Sequence, residues 1–75
     1  MEIVSLFNGT ERRSREVASA EEIRESSAEL PIGDGWGQLV RGTVEELRAA
    51  GATENRYGSW TLAIGSGALD CVTTP

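Results

Sequence analysis

A chain of 75 residues with one cysteine, no histidine and no lysine is sized for a single domain, residues 1–75, because half that length ordinarily does not fold unaided. The lone Cys71 excludes an intrachain disulfide, and the missing histidine and lysine remove the commonest general base, the commonest metal ligand and Schiff-base chemistry. A net charge of −5 disfavours direct binding to nucleic-acid phosphates and favours a basic partner surface.

Ile3, Val4, Leu6 and Phe7 predict a first strand at about 2–7. Asn8-Gly9-Thr10 is both a glycosylation sequon and a hairpin signal. Met1-Glu2-Ile3-Val4 offers neither a basic leader nor a long apolar run. The expected setting is therefore cytoplasmic, with no membrane span, and Asn8-Gly9 is read as a type I′ turn, in which both residues tolerate φ > 0. The second strand, at about 10–17, is rich in charge and suits a sheet edge. A two-residue turn sets Glu2 opposite Arg15. Strict alternation then puts Arg13 and Arg15 on one side and Arg12 on the other, which excludes a single three-arginine patch.

Ser19-Ala20-Glu21-Glu22 has the form of a capping box, and Pro31 ends the helix that follows. At about 100° per residue, Ala20, Ile23, Ser27 and Leu30 fall within roughly 80°, and Glu21, Glu22, Glu25 and Glu29 within roughly 100° on the other side. The helix is amphipathic with an acidic stripe, kept although its like-charged neighbours repel by a few tenths of a kcal/mol per pair.

The connector Pro31-Ile32-Gly33-Asp34-Gly35 is read as a helix–helix link with Asp34 as N-cap. Trp36, Leu39, Val40, Val44, Leu47 and Ala50 keep helical phase and predict one helix over 36–50, ended by Gly51. A competing parse makes 36–41 a strand and starts the helix at Thr43-x-x-Glu46; the continuous phase of Val40, Val44 and Leu47 favours the single helix. After a polar loop, Trp60, Leu62 and Ile64 alternate with Thr61 and Ala63 as a half-buried strand, and Gly65-Ser66-Gly67 turns into a last strand at about 68–73. The expected fold is α+β, in the order β-β-α-α-β-β: a small antiparallel sheet with an αα-hairpin across one face.

No pattern in the chain carries catalysis. Glu21 with Glu25 and Glu45 with Glu46 stand on polar helical faces rather than in a cleft, and the Gly33–Gly37 stretch lacks the spacing of a phosphate cradle. Cys71 reads as a small buried hydrophobe with no neighbouring base, and Trp60 as a core residue, which leaves Arg56 and Tyr57 as candidate contacts in the last loop. The chain is expected not to be an enzyme and to bind no metal or cofactor. Its expected role is to dock Glu21, Glu22, Glu25, Glu29 and Asp34 on a basic surface, in competition with or in imitation of nucleic acid. The alternative is a self-associating accessory domain, a homodimer formed through the sheet edge or the Trp36 region.

Two short strands, an acidic capped helix from Ser19 to Leu30, the Pro-Ile-Gly-Asp-Gly-Trp-Gly connector and a segment reading TVEELRAAG together resemble the build of small phage-encoded anti-CRISPR proteins. The resemblance covers general organisation and transfers no functional residue. It implies an inhibitor acting in the host cytoplasm on a protein or ribonucleoprotein complex, without catalysis.

Overall fold

The computed structural model describes residues 1–75. The chain forms β1 (Glu2–Phe7), β2 (Thr10–Glu16), α1 (Ala20–Glu29), β3 (Trp36–Gly42), α2 (Val44–Ala49), β4 (Thr53–Glu54), β5 (Trp60–Ile64) and β6 (Gly67–Thr73). All six strands belong to one mixed sheet, in the order β2-β1-β3-β6-β5-β4. Neighbouring strands are antiparallel except β3 and β6, which run parallel over 39–42 against 70–73. The sheet is thus two antiparallel halves of three strands joined along one parallel seam. No helix is long and apolar enough to cross a membrane.

The α+β class holds, but the predicted element order and the αα-hairpin do not. A central strand, β3, separates the two helices. The reason begins at Asp34-Gly35. Asp34 has φ 55° and Gly35 φ 93°, and the flanking Gly33 and Trp36 exchange two backbone hydrogen bonds of 3.0 Å. This is the positive-φ chemistry of Asn8 (φ 50°) and Gly9 (φ 83°) in the first hairpin, and a turn of that hand launches a strand. Asp34 is therefore a turn residue and not a helix N-cap. Downstream, Gly37 and Gly42 would each cost a helix interior roughly 1 kcal/mol. In the sheet Gly42 fits beneath Met1, where an added Cβ would lie 2.7 Å from the methionine Cβ.

The first helix starts at its expected Ser19 cap, whereas the single helix expected over 36–50 is a strand over Trp36–Gly42 followed by a short helix capped by Thr43, as in the competing parse. In α1, Ser19 Oγ accepts the Glu22 N–H at 3.2 Å, while the Glu22 carboxylate accepts the Ala18 N–H at 2.7 Å, one residue upstream of the usual reciprocal partner. In α2 the box is complete: Thr43 Oγ1 accepts from the Glu46 N–H at 3.1 Å, and Glu46 accepts from the Thr43 N–H at 2.9 Å. A cap of this kind contributes about 1 kcal/mol.

The two helices cover the same face of the sheet. Pairing Ile3 with Val40, Val40 with Cys71, Cys71 with Trp60, and Leu62 with Leu69 puts these side chains on one side. There they meet Ile23 and Leu30 of the α1 segment and Leu47 of α2 in a continuous core. Each fully buried aliphatic side chain contributes roughly 1.5–3 kcal/mol relative to exposure. The other face has no helix. Val4 is nonetheless 1% exposed there, and an ion-pair network spans that face. Arg41 on β3 reaches Glu2 at 2.8 Å and Glu11 on β2 at 2.6 Å, and the line from Arg41 to Glu11 passes over β1 at Val4.

That network replaces the expected Glu2–Arg15 pair. The β1–β2 register shifts by one residue between Ser5 and Leu6, leaving Arg12 extra. Downstream of this bulge Glu2 lies opposite Glu16, and Ile3 lies opposite Arg15. A bulge also bends an edge strand and raises its twist, so strict alternation along β2 fails at Arg12. Arg13 and Arg15 still share the helix-bearing face, through their partners Ser5 and Ile3.

Candidate functional site

The acidic stripe is real in position and uneven in partners. Ile23, Ser26 and Leu30 are buried, which turns Glu21, Glu22, Glu25 and Glu29 outward on α1, all of them exposed. Ser26 takes the core-facing place expected of Ser27, whose hydroxyl instead donates to Gln38 Oε1 on β3. Gln38 Nε2 donates in turn to the backbone oxygens of Ser27 (3.1 Å), Leu30 (3.3 Å) and Pro31 (3.3 Å). One side chain thereby satisfies carbonyls that the end of a helix leaves without partners. Ser5 Oγ adds a bond to the Pro31 oxygen at 2.8 Å. The far end of α1 is thus bolted to β1 and β3 by polar contacts that no periodicity in the sequence announces.

The four glutamates differ in what they can still do. Glu29 pairs with Arg15 at 2.6 Å, in a bridge 45% and 66% exposed on its two sides, a setting where such pairs contribute about 0–1 kcal/mol. The Glu22 carboxylate is engaged at the start of the helix. Glu21 and Glu25 have no ion-pair or hydrogen-bonding partner within the chain. Asp34 sits apart from the helix, exposed in its turn. The free part of the acidic surface is therefore Glu21 and Glu25, flanked by Glu22; Glu29 is neutralised and Asp34 belongs to a different element.

Of the seven arginines, only Arg15 and Arg41 reach a carboxylate. Burial works against the charged form of Arg41, but the hydrogen bond to Glu2 and the fields of Glu11 and Glu2 outweigh it and raise its pKa. Arg48, in α2, lies over the Trp60 ring with its guanidinium carbon 5.5 Å from the ring centroid, and Arg56 lies 6.0 Å from the Tyr57 centroid. Trp60 is 8% exposed and belongs to the core, as its alternation with Leu62 predicts, whereas Tyr57 is 84% exposed. The role of Arg48 had no signal in the sequence, since a helix-to-strand stacking contact leaves no spacing to read.

Two other ionisable groups are tied to structure. The N-terminal ammonium hydrogen-bonds Glu46 at 2.6 Å and, with the Thr43 N–H, holds that carboxyl below its usual range. Burial, reinforced by the charge of Asp70, pushes the Cys71 thiol above its usual value, which disfavours the nucleophilic thiolate. The surface has no pocket, and no three acidic or thiol side chains converge on a common point as metal ligands would. Phe7 and Trp36 stack with centroids 5.3 Å apart beside the paired turns, where the Asn8 N–H donates to the Gly35 oxygen at 2.9 Å.

Comparison of the chain with protein-family models, with curated proteins and with solved structures returns no match.

Proposed function

We propose that this chain is a non-catalytic, anti-CRISPR-like inhibitor that docks the exposed flank of α1 on the basic, nucleic-acid-binding surface of a protein or ribonucleoprotein complex. The observation that carries the reading is the pair Glu21 and Glu25: solvent-facing carboxylates without internal counter-charges, on a helix held rigid by Ile23 and Leu30 on one side and by the Gln38 bonds at its end. Rigid placement lowers the ordering cost of binding, and an unneutralised carboxylate retains its full attraction for a cationic target. Glu29, paired with Arg15, stands at the margin of this surface, and Asp34 lies apart from it in its own turn.

The test is charge reversal at Glu21 and Glu25 alone. Glu22 and Glu29 are spared because they hold the helix start and the Arg15 bridge. Wild type and E21R/E25R are used to capture partners from the native host at two salt concentrations. Capture of a nucleic-acid-binding complex that weakens with salt and with the reversal supports the reading, and capture indifferent to both sinks it.

A second reading, a homodimer through β2, has one observation in its favour: all seven residues of that strand are exposed and its outer edge is unpaired. Its charges and its bulge oppose strand addition. Sedimentation showing a strict monomer at micromolar concentration eliminates it.

A further inference from the structure

The sheet ends opposite β2 in a corner of another character. The loop between β4 and β5, residues 55–59, is built around Asn55. The Asn55 side-chain oxygen accepts the Tyr57 N–H at 2.8 Å and the Ser59 N–H at 3.1 Å. The Asn55 backbone accepts from Gly58 at 3.1 Å and donates to Ser59 at 2.8 Å, and Gly58 takes φ 82°. Four hydrogen bonds thus fix a five-residue loop whose one aromatic side chain, Tyr57, is turned to solvent. Arg56 lies over Tyr57, and Arg48 lies over the neighbouring Trp60. Neither guanidinium reaches a carboxylate of the chain.

We infer that this corner is a second docking surface, specific for an acidic segment of a partner protein that carries an apolar side chain beside its carboxylates. Tyrosine and arginine are the residues that dominate binding energy at protein interfaces, and a loop already ordered forfeits little entropy on binding. Stacking on an aromatic ring holds each guanidinium in place while leaving its fork of donors open to a carboxylate. The ligand class follows from charge. In a chain of net charge −5, with Glu54 beside Gly58 and opposite Trp60, a polyphosphate is repelled over most of its length, whereas a short peptide with one or two carboxylates brings less charge into that field and places it against the two arginines. The inference is independent of the α1 reading, since it concerns the opposite edge of the sheet and the opposite sign of charge.

The experiment is selection of a random linear-peptide display library on the immobilised wild-type chain, followed by affinity measurement of the enriched peptides. Enriched sequences should combine Asp or Glu with an apolar residue and should weaken about tenfold or more with Tyr57→Ala. They should weaken likewise with Arg56→Glu and Arg48→Glu and be unaffected by E21R/E25R. Tyr57 and Arg56 are exposed, so their variants keep the fold, which circular dichroism verifies. No enrichment, or acidic peptides indifferent to Tyr57 and Arg56, overturns the inference. Enrichment of basic peptides lost in E21R/E25R overturns it while supporting the α1 reading. Binding of a single-stranded oligothymidylate that depends on Arg56 and Tyr57 overturns it in favour of nucleic acid.

Discussion

The outer flank of α1 and the β4–β5 corner present charge in opposite ways. On α1 the unpaired charge is carboxylate, Glu21 and Glu25, on a helix whose opposite flank is buried as Ile23 and Leu30. At the β4–β5 edge it is guanidinium, laid over aromatic rings around a loop fixed by its own hydrogen bonds. The first arrangement couples surface to core, so perturbing the acidic flank from beneath perturbs the whole fold. The second is locally self-sufficient, and its most exposed member can be removed at almost no cost in stability.

The sharpest way to break this contrast is to compare Ile23→Ala with Tyr57→Ala by thermal and denaturant unfolding. Truncating the fully buried isoleucine should cost about 2–5 kcal/mol, whereas the tyrosine change should stay within about 0.5 kcal/mol. Equal losses would show that the loop is not autonomous. Next in size is Gln38→Ala. It leaves the carbonyls of Ser27 and Leu30 without their side-chain donor, Pro31 keeping the Ser5 hydroxyl, and should cost about 1–3 kcal/mol, with faster amide exchange at the end of α1.

A smaller effect, about 1–2 kcal/mol, is expected for Gly35→Ala. Positive φ penalises a Cβ there, and that atom would stand 3.0 Å from both Asn8 Oδ1 and a Phe7 ring carbon. Arg15→Gln should change stability by no more than about 1 kcal/mol, yet it frees Glu29 and should strengthen binding to a cationic partner at low salt. Acid titration adds a final comparison. The depressed pKa of Glu46 means that its stabilisation is complete above the ordinary carboxylate value of about 4.3. It is lost as pH falls through the lower folded value. Unfolding midpoints followed from neutral pH into that range should fall less steeply in Glu46→Gln.

Much of the first half was legible because local chemistry and tertiary fate agree there. Asn8-Gly9 turns as its φ preferences demand, and α1 runs from its Ser19 cap to its Leu30 cap, just before Pro31. β5 follows its alternation, and the Thr43 and Glu46 box marks a real helix start. Residues 36–42 misled because β3 places apolar side chains on both faces and the polar Gln38 on the helix-bearing one. Val40 is buried toward the helices while Leu39 is half-buried on the other side, so the alternation that signals a strand disappears and a helical phase with Val44 and Leu47 arises by coincidence. The decisive signal was nearby: Asp34-Gly35 is the same turn chemistry as Asn8-Gly9. The bulge at Arg12 was not legible, because an inserted residue in a polar edge strand displaces no apolar pattern. Of the acidic surface, the helix glutamates were found by phase. Their differing partners were not, since Arg15 meets Glu29 across elements whose relative placement is tertiary.

The parallel seam carries a kinetic consequence. The β4-β5-β6 half can assemble from near neighbours in the chain, but pairing β1 with β3 and bringing 39–42 against 70–73 each close loops of about thirty to forty residues, and such non-local closure slows folding. Until it happens, β3 and β6 each expose a bare edge, and nascent chains at high concentration can pair through them. Rapid dilution at low protein concentration should therefore give the best yield of refolded monomer.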